Sequence, residues 1–111
     1  MEESAERNIK IAVVHFRHVP TTAYRRGYEF ERRVARYYEQ QGCHVCRSSG
    51  SHGPFDLTVV CRGVPIGVQC KTDGRLSPAE EERMRERARA AEMEAVLVYR
   101  VDHELAFRKI R

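Results

Sequence analysis

At 111 residues the chain is long enough for one domain with a modest core, and no apolar run is long enough to cross a membrane. A net charge of +4, with seventeen of the twenty basic residues arginine, favours an anionic partner, although a GC-rich or thermophilic genome accounts for the arginines equally well. The acidic start MEESAER is the wrong chemistry for a secretory signal, so a cytoplasmic protein is expected, in the host cytoplasm for a viral one.

Taken in chain order, residues 1–8 form a polar terminus, and Ile9–Val19 is β-rich and apolar, a predicted strand ended by Pro20. Thr21–Arg26 follows as a short basic linker. Gly27–Gln41 is a predicted helix, with Phe30, Val34, Tyr37 and Tyr38 as its apolar stripe and Gly42 as its stop. Spacing separates two acids inside it. Glu29 shares the exposed side with Arg32, Arg33 and Arg36, whereas Glu31 lines up with Val34, Ala35 and Tyr38 at the margin of the buried stripe. A carboxylate there either pairs or performs a task.

Cys43–Arg47 is a short predicted strand. The loop Ser48–Phe55 that follows is rich in Ser and Gly, whose free backbone N–H groups suit close approach to a phosphate. A plain flexible loop has the same composition. Next come two strands, Asp56–Cys61 and Val64–Lys71, around a turn at Arg62–Gly63. With those turn residues, Asp56 falls opposite Gln69, at about 5 Å between Cβ atoms. Period-2 alternation puts Gly67, Gln69 and Lys71 on one face and Ile66, Val68 and Cys70 on the other. One face thus gathers a carboxylate, an amide oxygen and an ammonium: part of a hard-cation site with a phosphate or water partner beside it. A loop-capping Asp with solvated Gln and Lys is the competing account.

Thr72–Arg75 is a turn, and Ser77-Pro78-Ala79-Glu80 is a capping box with Pro at the first helical position. The helix it starts runs to about Met93, with Met84, Ala88 and Ala91 inward and Arg83, Arg85, Glu86, Arg87 and Arg89 as a solvated face. Ala95–Arg100 is a buried strand, Val101–Glu104 a turn, and Leu105–Ile110 an edge strand. Four cysteines (Cys43, Cys46, Cys61 and Cys70) invite a metal reading through the C-x-x-C at 43–46. No second pair follows at zinc-ribbon distance, so structural zinc is disfavoured. Disulfides are disfavoured further in a reducing compartment.

The order (β)-α-β-β-β-α-β-(β) is that of an α/β (α+β) domain, a mixed central sheet flanked by two helices. Gly27-x-x-x-Glu31-Arg32, Arg47-Ser48-Ser49-Gly50-Ser51, Asp56-Leu57, Gln69-Cys70-Lys71 and Leu76-Ser77-x-x-Glu80, in this order over roughly residues 25–100, resemble the PD-(D/E)XK nuclease superfamily. Within it they are most similar to archaeal-type Holliday junction resolvases. The resemblance implies a restriction-endonuclease-like nuclease domain at 25–111, preceded by an N-terminal extension at 1–24. It implies Glu31, Asp56, Gln69 and Lys71 as catalytic residues, with Glu31, Asp56 and Gln69 holding Mg²⁺, or Mn²⁺ in its place. Arg32, Arg47, Ser48 and Ser51 are implied to contact DNA.

The implied activity is resolution of four-way DNA junctions by paired phosphodiester hydrolysis in a homodimer, without membrane or small-molecule cofactor. Gln69 departs from the pattern, standing where an acid is usual and removing one negative charge from the metal site. A restriction- or repair-type nuclease acting on duplex DNA, some of which carry Q-x-K, and a non-catalytic DNA-binding domain of the same fold are the alternatives.

Overall fold

A computed structural model describes residues 22–48 and 53–111, with side chains from residue 25 onward. The expected strand at Ile9–Val19, and Ser49 to His52 of the loop with its Ser51, lie outside the described residues. The described elements are α1 (Thr22–Gln40), β1 (His44–Arg47), β2 (Leu57–Cys61), β3 (Val64–Cys70), α2 (Pro78–Ala91), β4 (Glu94–Val101) and β5 (Glu104–Ile110). They make one mixed sheet in the order β1-β2-β3-β4-β5. Only β3 and β4 are parallel; the other neighbours are antiparallel. Parallel neighbours need a crossover connection, and α2 supplies it. The fold is therefore the expected α+β sandwich.

The two hairpin turns explain the register. Arg62 and Gly63 both have positive φ, 52° and 80°, as a two-residue reversal matched to strand twist requires. Leu57 accordingly pairs with Val68 and Cys61 with Val64, the expected alignment. At the far end, Asp102 and His103 at φ 50° and 69° turn β4 into β5.

Each face of the sheet has its own core. On one, Phe30, Val34, Ala35 and Tyr38 of α1 pack on Leu57, Val59, Val68 and Val98. On the other, Met84 and Ala88 of α2 pack with Phe55, Ala95, Leu97 and Ile110. Leu97 and Val98, adjacent in β4, belong to opposite cores because successive strand side chains point to opposite faces. Cys70 packs at the edge of the α1 core, as the alternation indicated.

Three expectations need correction. Helix α1 begins at Thr22, inside the stretch read as a linker. Nothing in that stretch breaks a helix: it lacks proline, and Arg25 and Arg26 are exposed, as a polar helix face allows. Ala91, read as inward, is exposed, since α2 ends there with Glu92 in the left-handed conformation at φ 56°. Lastly, Cys43 and Cys61 form a disulfide, with Cα atoms 4.5 Å apart. The cause is register. His44 pairs with Val60, so one step further along the ladder Cys43 faces Cys61. Cys46, the other half of the C-x-x-C, is free and exposed.

Candidate nuclease site

The site is built where three chain segments meet at one end of the sheet: the entry to β2, the exit from β3 and the first turn of α2. A cavity of about 580 Å³ opens there. Its wall includes Glu31 from α1, Asp56 and Gln69 from the hairpin, Glu80 and Arg83 from α2, and Arg47 and Ser48 after β1. Asp56 and Gln69 both border this cavity, and so does Glu31 from α1.

The ladder stops just short of the Asp56–Gln69 pair. There the Asp56 carboxylate replaces a backbone acceptor, its Oδ2 receiving the Cys70 N–H at 2.8 Å. The Asp56 N–H donates to the Val68 carbonyl at 2.8 Å. The carboxylate is thereby aimed by main chain on both sides. Burial pushes the Asp56 carboxyl above its ordinary range, against the pull of the Cys70 N–H and the positive charges of Lys71 and Arg47. Burial first, and then the negative charge of Asp56, raises Glu31 as well. Two half-buried carboxylates therefore oppose each other's ionisation.

Next to Asp56, the Phe55 ring packs against Gly67. A Cβ built on Gly67 would come within 2.6 Å of the Phe55 ring, so only glycine admits this contact. Ser48 ties the ends of the loop together: its hydroxyl donates to the Phe55 carbonyl at 2.9 Å and its N–H to the Asp56 carbonyl at 2.9 Å. The described contacts of Ser48 are thus internal to the loop. Arg47 stands at the rim, its Nη2 3.4 Å from Glu31 Oε1, with its guanidinium 4.8 Å above the Tyr28 ring. Arg32 is exposed on the outer side of α1 and is absent from the cavity wall.

Lys71 is also not on that wall. Its Nζ pairs with Glu80 Oε2 at 3.1 Å, and Glu80 is a wall residue. The capping box is present as read, with the Glu80 N–H donating to Ser77 Oγ at 3.0 Å and the Ser77 N–H donating to Glu80 Oε1 at 2.9 Å. The Ser77 N–H, followed by Lys71, holds the Glu80 carboxyl below its usual range. Sequence reasoning missed Glu80 as a neighbour of Lys71, and it left Tyr28 and Arg83 out of the site. The turn between Lys71 and Ser77 returns the helix start to the lysine, and no spacing in the sequence marks that return. Arg83 is exposed, as expected for that helix face, yet it borders the cavity.

The donor set suits a hard divalent cation. Two carboxylates and an amide carbonyl are all oxygen ligands, and the mutual repulsion of Asp56 and Glu31 is what a cation between them relieves. Among the described residues no three His, Cys, Asp or Glu side chains form a metal-binding group. The third oxygen here comes from Gln69.

The family model described as archaeal Holliday junction resolvase (Hjc) matches residues 22–110. The chain belongs to this resolvase family. Among solved structures, Hjc of Archaeoglobus fulgidus, a Holliday junction resolvase from an archaeal hyperthermophile, is similar in fold, with a TM-score of 0.67 at 22% identity. That likeness covers 76% of this chain and 77% of the other. No curated protein matches. The resolvase match spans every described element from α1 to β5, and so includes Glu31, Asp56, Gln69 and Lys71.

Proposed function

We propose that the chain is a divalent-metal-dependent endonuclease that resolves four-way DNA junctions by hydrolysing a pair of phosphodiesters. The observation that carries this reading is the convergence of Asp56, Glu31 and Gln69 on one cavity with Arg47 at its rim, in a member of the resolvase family. Asp56, Glu31 and the Gln69 carbonyl would hold the cation, Mg²⁺ by preference for such oxygen donors. A bound cation supplies polarisation of the scissile phosphate and a more acidic attacking water.

The chain's own groups do the rest. The Cys70 N–H keeps the Asp56 carboxylate turned into the cavity. Arg47, only loosely paired with Glu31, exchanges that partner for a phosphate oxygen and leaves Glu31 free for the metal. Lys71 stabilises the extra negative charge that develops on the phosphoryl oxygens. Arg32, exposed on α1, contacts the backbone further from the cut, and Ser48 and Ser51 are further candidates for phosphate contact. Backbone contacts of this kind select DNA by shape rather than base sequence. Symmetric cutting of a junction requires two such sites related by a twofold axis, hence a homodimer.

The test compares a labelled four-way junction with a linear duplex of the same sequence, with Mg²⁺ and with EDTA. Metal-dependent cutting of the junction well above the duplex is expected. Equal cutting of both identifies instead a duplex nuclease of the same fold. Absence of cutting with any divalent ion leaves a non-catalytic DNA-binding domain. Lys71→Ala should lower the cleavage rate by about 10²–10³-fold while junction binding persists.

A further inference from the structure

The Glu80 carboxylate joins two features that are separate in the sequence. One oxygen closes the capping box on the Ser77 N–H at 2.9 Å, and the other holds Lys71 Nζ at 3.1 Å. The helix start is itself pinned by Ser77 Oγ and by Pro78 at the first helical position. Glu80 is therefore an acid on a rigid mount, whereas lysine is an ammonium on a flexible four-carbon stem. Two residues before Lys71, where the family pattern has an acid, Gln69 brings no charge. Among the described residues, the ion-pair partner of Lys71 is Glu80.

We infer that Glu80 is the positioning residue for Lys71, holding its ammonium from the pinned start of α2. The inference rests on the nuclease reading of the site. Held from α2, Lys71 is kept at the edge of the cavity and off the Asp56 carboxylate. Asp56 stays available for a cation, and the ammonium stays within reach of an arriving phosphate. Released from Glu80, Lys71 settles on Asp56, whose carboxylate already feels its charge, and competes there with the metal.

Glu80→Gln separates the two duties of the side chain. A glutamine still closes a capping box through its carbonyl, but it turns an NH₂ toward the ammonium. The expected result is an unchanged Tm, weaker Mg²⁺ binding by calorimetry on the DNA-free protein, and a kcat for junction cleavage lower by about 10–100-fold at unchanged KM. In metal-free protein, the Lys71 ammonium signal in ¹⁵N–¹H spectra should be sharp in the wild type and broadened in the variant.

Glu80→Ala, which also opens the cap, should add a fall in Tm to the same losses. Wild-type cleavage and an unchanged Lys71 signal in Glu80→Gln would overturn the inference. Wild-type cleavage by Lys71→Ala would instead overturn the site reading beneath it. The two failures are thus told apart.

Discussion

At the scale of single residues, the site is a place where the fold accepts electrostatic cost. Asp56 and Glu31 have carboxyl groups raised by burial, so the folded chain binds protons more tightly there than the unfolded chain does. Stability from these groups is full below the ordinary carboxylate range and is lost as pH rises through it to the raised values. Replacing Asp56 with Asn keeps an acceptor for the Cys70 N–H and removes the charge. In EDTA, Asp56→Asn is therefore expected to have a higher Tm than the wild type near neutrality. The difference should shrink toward zero as pH falls below the ordinary aspartate value of 3.8. Added Mg²⁺ should raise the wild-type Tm and leave the variant unmoved. A variant less stable than the wild type in EDTA at neutral pH would show that Asp56 is a structural hydrogen-bonding group rather than a held charge. The Cys70 thiol, pushed far up by burial and by the neighbouring carboxylates, stays protonated and takes no part.

At the scale of elements, the hairpin of β2 and β3 sets the site, and the buried contact between Phe55 and Gly67 sets the hairpin's open end, away from the turn. Gly67→Ala forces a methyl into the Phe55 ring and is expected to destabilise the fold by about 1–3 kcal/mol in chemical denaturation. Because Phe55 precedes Asp56, junction cleavage should fall as well. Equal stability of this variant would mean that Phe55 is free to move away.

Much of this element was legible from residue order. A two-residue turn at Arg62–Gly63 determines who faces whom, and the alternation of side chains then separates Gln69 from Val68 and Cys70. The capping box at Ser77–Glu80 was equally plain, because it depends on neighbours in the chain. What residue order could not show was the second contact of Glu80. That contact depends on the path of the turn from Lys71 to Ser77, and turns carry no periodicity. The early start of α1 has a related reason: residues 25–29 are exposed and leave no apolar stripe to read.

At the scale of the whole molecule, two cores on opposite faces of one sheet hold α1 and α2 on either side of the cavity. The Cys43–Cys61 bridge fastens the end of α1 to the β2–β3 hairpin across a sequence separation of 18. Closing a loop of that size stabilises by about 3 kcal/mol, so Cys43→Ser with Cys61→Ser should lower unfolding stability by about that amount and leave junction binding intact. A loss well under 1 kcal/mol would indicate that the thiols are not joined in solution. The bridge was hidden in the sequence because the cysteines were weighed by compartment and by the C-x-x-C spacing. What sets Cys43 against Cys61 is the pairing of β1 with β2, which neither of those cues carries. Family membership, by contrast, was legible in the ordered set of short motifs from Gly27 to Glu80, each weak alone.

The most direct measurement is to map, strand by strand, the cuts made in a labelled four-way junction in the presence of Mg²⁺. The site described here, acting as a symmetric pair, should leave two nicks at equivalent positions in opposing strands, with none in EDTA or with Asp56→Asn. Single or scattered cuts that also appear in linear duplex would contradict it.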